Sequence, residues 1–168
     1  MELYLVRHGP AEARDPVRWP SDDDRPLSAA GVGETRDAAR GFAHLDPSVR
    51  RVVTSPAERA RATAVLFQEA MEPRHPLETW EELAPDSPAE PVLRRAAHGG
   101  KKSDGALLVG HEPILSEVVG LALCGEAVSV VHFPRAGAAR ITFERDAAPG
   151  TGRLEWLLTR RQLAALGR

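Results

Sequence analysis

The chain has 168 residues, 42% hydrophobic and 27% charged, which describes one globular domain over residues 1–168 and excludes a disordered chain. Basic and acidic side chains nearly cancel, 22 against 24, so a general nucleic-acid or membrane-surface binder is excluded. A lone cysteine cannot form an internal bridge, no run nears the ~18 apolar residues of a membrane span, and the N-terminus has no secretory leader; the expected location is the cytoplasm.

Leu3-Tyr4-Leu5-Val6 is a wholly apolar run closed by Arg7-His8-Gly9-Pro10, the pattern of a buried parallel strand feeding a loop. Pro10 to Pro26 is rich in proline and aspartate, lacks a period and reads as a loop. Its Asp22-Asp23-Asp24 triplet, with no other ligand type beside it, is expected to be solvated. Ser28 is placed to cap a helix whose positions Val32, Thr35, Ala39 and Phe42 step by three and four, until Asp46-Pro47. Val52-Val53 makes a second buried strand. Thr54-Ser55-Pro56-Ala57-Glu58 is the strongest local signal: Ser55 as N-cap, Pro56 as first helical residue and Glu58 three positions on. Ala60, Ala64, Phe67 and Met71 give that helix a buried stripe, and Glu72-Pro73 ends it.

Pro76 to Pro91 reads as a short extended piece, a proline-punctuated loop and the start of a short helix through Leu93. Ala106-Leu107-Leu108-Val109-Gly110 is a third apolar strand. Pro113 opens a helix with Ile114, Leu115, Val118, Val119 and Ala122 on one side and Gly125 as C-cap. Cys124, on this apolar helix, is expected as a small core residue. Arg140–Glu144 and Arg153–Leu157 alternate around a Pro149-Gly150-Thr151-Gly152 turn, an antiparallel hairpin, and Gln162 to Leu166 forms a last helix. Strands alternating with helices and ending in a hairpin imply a three-layer α/β sandwich with a mostly parallel sheet and an antiparallel edge.

Ligands of open α/β sheets sit outside the carboxyl ends of the strands. There the first strand delivers Arg7-His8-Gly9, the second Ser55 and then Arg59, and the third Gly110-His111-Glu112. Arg59 and Arg61 fall in the first turn of a helix, where the dipole disfavours cations by roughly 0.3–1 kcal/mol unless an anion is bound. Free backbone N–H groups, a helix dipole and an arginine fork describe a phosphate site; the alternative is that both arginines are solvated. His8 and His111 each follow an apolar strand beside a glycine that permits close backbone approach. A neutral imidazole among arginines can attack phosphorus without a metal or cofactor. His44, His75, His98 and His132 show no motif and read as surface or loop residues. Glu112 is placed to cap the third helix or to orient His111, and capping is the favoured reading.

Arg7-His8-Gly9 after an N-terminal strand, Ser55-Pro56 with Arg59 and Thr63-Ala64, and a later Gly110-His111 together resemble the histidine phosphatase superfamily, with its phosphoglycerate mutase-like fold. The short length, Arg25-Pro26-Leu27-Ser28, Glu82-Leu83 followed by Pro85, and the tail from Trp156 through Leu163 are similar to the compact SixA-type phosphohistidine phosphatases. The resemblance implies His8 as nucleophile, Arg7 and Arg59 on the phosphoryl oxygens, and His111 as the second pocket histidine. It also places Arg25 in the pocket, with Gly9 and Glu82 as further substrate-binding positions. Larger members supply a general acid after the second helix; the candidates here, Glu81 and Glu82, match that motif poorly, and a weak acid favours phosphohistidine or aryl phosphates over sugar phosphates. The expected partner is a phosphorylated protein bearing phosphohistidine, or a small phosphate ester, acted on by a monomer. The rivals are a phosphomonoesterase for a sugar phosphate or nucleotide, and a phosphate-binding module without turnover.

Overall fold

The computed structural model describes residues 1–71, 75–98 and 105–168. Strand β1 (Glu2–Arg7) leads through a loop with a 3-10 turn at Asp22–Asp24 to helix α1 (Ala29–Ala43); β2 (Val49–Thr54) is followed by α2 (Glu58–Ala70). Then come β3 (Leu77–Thr79), a 3-10 turn at Glu81–Leu83, α3 (Ala89–Ala97), β4 (Gly105–Gly110), α4 (Ile114–Cys124), the hairpin β5 (Ala138–Phe143) and β6 (Gly152–Leu158), and α5 (Arg160–Leu166). The sheet runs β3-β2-β4-β1-β5-β6. β1, β2, β3 and β4 pair in parallel, and β5 pairs antiparallel with both β1 and β6, as the sequence predicts.

Strand periodicity sorts the core onto the two faces of this sheet. Leu3 and Leu5 of β1, with Ala106 and Leu108 of β4, face one cluster; Tyr4 and Val6, with Leu107 and Val109, face the other. The first cluster is closed by α3 and α4 through Val92, Leu93, Leu115 and Val119, the second by α1, α2 and α5 through Phe42, Phe67 and Leu163. Phe42 packs edge-on against Tyr4, ring centroids 5.5 Å apart, and burial of such a ring stabilises by roughly 1.5–3 kcal/mol. Gly41 is required where α1 meets α5, because a Cβ there would lie 1.7 Å from the Leu163 carbonyl oxygen.

Local signals account for most element ends. The Ser28 hydroxyl accepts the Gly31 N–H, Gly125 closes α4 in the left-handed region at φ 82°, and Gly150 turns the hairpin at φ 71°. Three expectations are corrected. The cap of α2 is Ala57 rather than Ser55, so the helix begins later than the motif suggests, and the Ser55 hydroxyl serves another bond described below. Cys124 is exposed: two residues beyond Ala122 is about 200° around the helix, which carries it off the buried stripe. α3 runs on through Ala97, past the expected Leu93. Glu72-Pro73, expected to stop α2, lies outside the described residues, and α2 ends at Ala70.

Candidate active site

The sheet order alone brings the three strand ends together, because β4 lies between β1 and β2. The His8 N–H donates to the Gly110 carbonyl at 3.0 Å and the Ser55 N–H to the Val109 carbonyl at 3.0 Å, so the residues just past β1, β4 and β2 stand side by side. His111 therefore sits between His8 and Ser55. Its ring is 5.1 Å from that of His8, centroid to centroid, and its Nε2 is 2.8 Å from the Ser55 hydroxyl. The Ser55 oxygen also accepts the Ala57 N–H at 3.3 Å; where its own proton goes to His111 Nε2, the ring presents Nδ1–H as a donor.

His8 Nδ1 lies 2.7 Å from the Gly9 carbonyl oxygen. A carbonyl only accepts, so Nδ1 carries the proton and Nε2 keeps its lone pair. Burial lowers the His8 pKa to about 4, against the Gly9 hydrogen bond, and the charges of Arg59, Arg7 and Arg135 lower it further. Burial, then His8, Arg59 and Arg7, lower His111 to about 3. Both imidazoles are neutral near pH 7. Gly9 has a different reason from the one its sequence suggests: a Cβ there would meet Thr35 Oγ1 of α1 at 2.0 Å, while its N–H donates to Thr63 Oγ1 of α2 at 2.9 Å. The close approach is to a helix.

Arg59, in the first turn of α2, is 3% exposed although it is an arginine. Its Nη1 donates to the Asp22 carbonyl at 2.7 Å and its Nη2 lies 3.2 Å from Asp22 Oδ2, while Nε is buried without a partner among the described residues. Arg7 Nη1 donates to the Phe133 carbonyl at 2.6 Å, and its Nε is likewise buried and unpartnered among those residues. Arg61, expected beside Arg59, is exposed. Arg25 does not act alone: it grips the Asp22 carboxylate with Nε at 2.8 Å and Nη2 at 3.2 Å and reaches the Glu12 carbonyl with Nη1 at 2.8 Å. Asp22 is thus held by Arg25, Arg14 and Arg59, which keep its carboxyl well below the usual carboxylate range. This corrects the solvated triplet; the loop folds back so that one of its aspartates meets three cations.

The Glu82 carboxylate is 2.6 Å from Arg95 Nη1 of α3, and Arg95 lies over the buried Trp80 ring, 4.5 Å from its centroid. Glu81 is exposed. Glu112 does not cap α4 and does not bond His111; it accepts from the Phe133 N–H and the Ser116 hydroxyl. Sequence reasoning also passes over Arg135, an exposed residue whose neighbour Ala136 donates its N–H to the Arg7 and His8 carbonyls. Ser55 is legible by the rule that finds His111, since it too follows a parallel strand; its position before a proline reads more strongly as a cap. Among the described residues, no group of three or more potential metal-ligating side chains forms a cation site, and no helix is long and apolar enough to cross a membrane.

Two neutral imidazoles beside a buried Arg59 and a half-buried Arg7, whose charges act on both rings, form, on an α/β sheet, a centre suited to a tetrahedral oxyanion. Comparison with known proteins gives the class a family. The pattern of the histidine phosphatase superfamily (branch 1) matches residues 3–85. An uncharacterised protein of Picosynechococcus sp. is 32% identical over 154 residues, covering 87% of this chain and 92% of that protein. The structure of the protein histidine phosphatase SixA complexed with tungstate superposes with a TM-score of 0.84 at 24% identity, covering 97% of this chain and 99% of that one. A structure from Agrobacterium tumefaciens, assigned as a SixA phosphohistidine phosphatase, gives 0.75 at 26% identity, with 94% and 97% covered. The chain belongs to the histidine phosphatase superfamily, on its SixA-type branch, and phosphatase chemistry goes with that membership.

Proposed function

We propose that this protein hydrolyses phosphohistidine in a protein partner through a covalent phosphoryl group on His8 Nε2. The observation that carries the reading is the Nδ1–H bond from His8 to the Gly9 carbonyl, which fixes the tautomer that leaves Nε2 nucleophilic in a ring kept neutral by burial. Arg7 and Arg59, whose charges act on both histidines, bind the phosphoryl oxygens, and His111 donates to a third. Nε2 attacks phosphorus as the substrate's P–N bond breaks; the departing imidazole leaves neutral when its other nitrogen is protonated from solvent. Water then attacks the phosphorus on His8, phosphate departs with the water's proton, and the lone pair returns to Nε2.

The substrate class follows from the carboxylates. Asp22 is locked as an anion by three arginines and so does not hand a proton to an alkoxide, a step worth roughly 10²–10⁴ in rate; of the other candidate acids, Glu82 is paired with Arg95 and Glu81 is exposed. A phosphoramidate nitrogen does not need it. The likeness to SixA phosphatases at 26% identity supports the same substrate.

The test is hydrolysis by wild type and His8→Ala of a phosphohistidine-bearing domain beside aryl and alkyl phosphates, with acid-sensitive label on the protein measured after rapid quench. Fast release from phosphohistidine, transient labelling, and loss of both in His8→Ala are expected. Faster turnover of an alkyl ester transfers the reading to a small-molecule phosphomonoesterase, and binding without turnover or label leaves a phosphate-binding module.

A further inference from the structure

Glu112 follows His111 directly, yet its carboxylate bonds to Phe133 and Ser116. Its Oε1 accepts the Phe133 N–H at 2.8 Å, its Oε2 accepts the Ser116 hydroxyl from the first turn of α4, and the carbonyl of the same Phe133 accepts Arg7 Nη1 at 2.6 Å. Phe133 is fully buried. Beyond it, the Ala136 N–H donates to the Arg7 and His8 carbonyls at 3.1 and 3.2 Å, and the Gly137 carbonyl accepts the Arg7 N–H at 3.1 Å. Residues 133–137 therefore brace the end of β1, and Glu112 pins the first residue of the brace to α4.

The bond to Arg7 decides the consequence. A guanidinium has many rotamers, and among the described residues only one of its five N–H groups has a protein acceptor; the orientation of the fork therefore depends on where the Phe133 carbonyl stands. Without Glu112, the Phe133 N–H is a buried donor with no partner, and residue 133 must shift to find one. We propose that Glu112 is a positioning residue for Arg7, acting through the Phe133 backbone to set the affinity of the pocket for a tetrahedral oxyanion. The inference rests on the reading of Arg7 as an oxyanion-binding side chain. The Glu112 charge also favours the Arg7 cation against the cost of its burial.

A double-mutant cycle with tungstate as the probe, followed by calorimetry, separates this role from general support of the fold. Glu112→Ala is expected to weaken tungstate binding about tenfold in the wild-type background and less than about twofold in Arg7→Ala, because the arginine it acts through is gone. Glu112→Gln, whose amide oxygen can accept the Phe133 N–H while its NH₂ donates to Ser116, should stay within about threefold of wild type. Equal weakening in both backgrounds, or none in either, overturns the inference while leaving the oxyanion site intact. Wild-type affinity in Arg7→Ala alone overturns the reading of the site, and the inference with it. If Glu112→Ala does not fold, Glu112→Asp, one methylene shorter, enters the same cycle and is decided by the same two results.

Discussion

Arg7 and Arg59 both act with their charge on His8 and His111 but are anchored in unlike ways. Arg7 stands at the end of a central strand and is tied to the carbonyl of a fully buried residue. Arg59 is tied to Asp22, whose side chain is 31% exposed and shared with Arg14 and Arg25 in the loop after β1. One anchor is part of the scaffold; the other is an ion cluster open to solvent, where salt and competing anions act. Two residues of equal chemistry therefore differ in what can disturb them, and ionic conditions reach the pocket from the Arg59 side.

Removing either fork shows whether both hold the phosphoryl group. Arg7→Ala and Arg59→Ala should each lower kcat/KM about 10²–10³-fold against phosphohistidine, the cost of losing one donor to a developing charge. A loss confined to one of them would break the pairing. Cutting the anchors should separate them. Asp22→Asn is expected to raise KM by about tenfold at low ionic strength, with the gap to wild type closing above ~0.5 M salt, where exposed pairs are screened in wild type too. The Glu112 variants should show no such salt dependence.

The histidines give the comparison a pH axis. Both have folded pKa values depressed by burial, to about 4 for His8 and about 3 for His111, so the unfolded chain binds more protons than the folded one once pH drops below about 6.5. The stability they allow is complete above that point and is lost as pH falls toward 4. Thermal unfolding across pH 4–8 measures the trend, and His8 carbon-bound proton shifts in an NMR titration should stay flat down to about 5. An inflection near 6.5 would show a solvated ring and remove the basis for the proposed nucleophile. The smallest effect is expected for Glu82→Gln: turnover within about twofold of wild type and a stability change below about 1 kcal/mol, because the residue pairs with Arg95 at the surface.

The residues most visible in the sequence are those whose reasons are local. Ser28, Gly125 and the Gly150 turn each follow from backbone needs a few residues wide, and the three strand ends follow from apolar runs plus the rule for parallel sheets. Asp22 is hidden because its partners lie in different elements: Arg25 three residues on is a readable pair, but Arg59 is 37 residues away and only the fold of the loop brings it near. Ser55 is visible and easily misread, since capping and bonding to His111 ask for the same hydroxyl in the same place. Glu82 and Glu112 share the opposite fault: each stands where a functional carboxylate is wanted, and each is engaged by a partner whose identity depends on tertiary packing.

The acceptor behind His8 also bears on the lifetime of a phosphorylated enzyme. In many catalytic histidines a carboxylate sits behind the ring and steadies any positive charge that forms on it; here the acceptor is the neutral carbonyl of the next residue. A ring carrying a phosphoryl group on Nε2, with its proton still on Nδ1, is cationic. Among the described residues no carboxylate bonds that ring, so its P–N bond is poorly defended. The covalent species should accordingly be brief, so that a quench faster than a single turnover finds the label and a slower one finds the enzyme unlabelled.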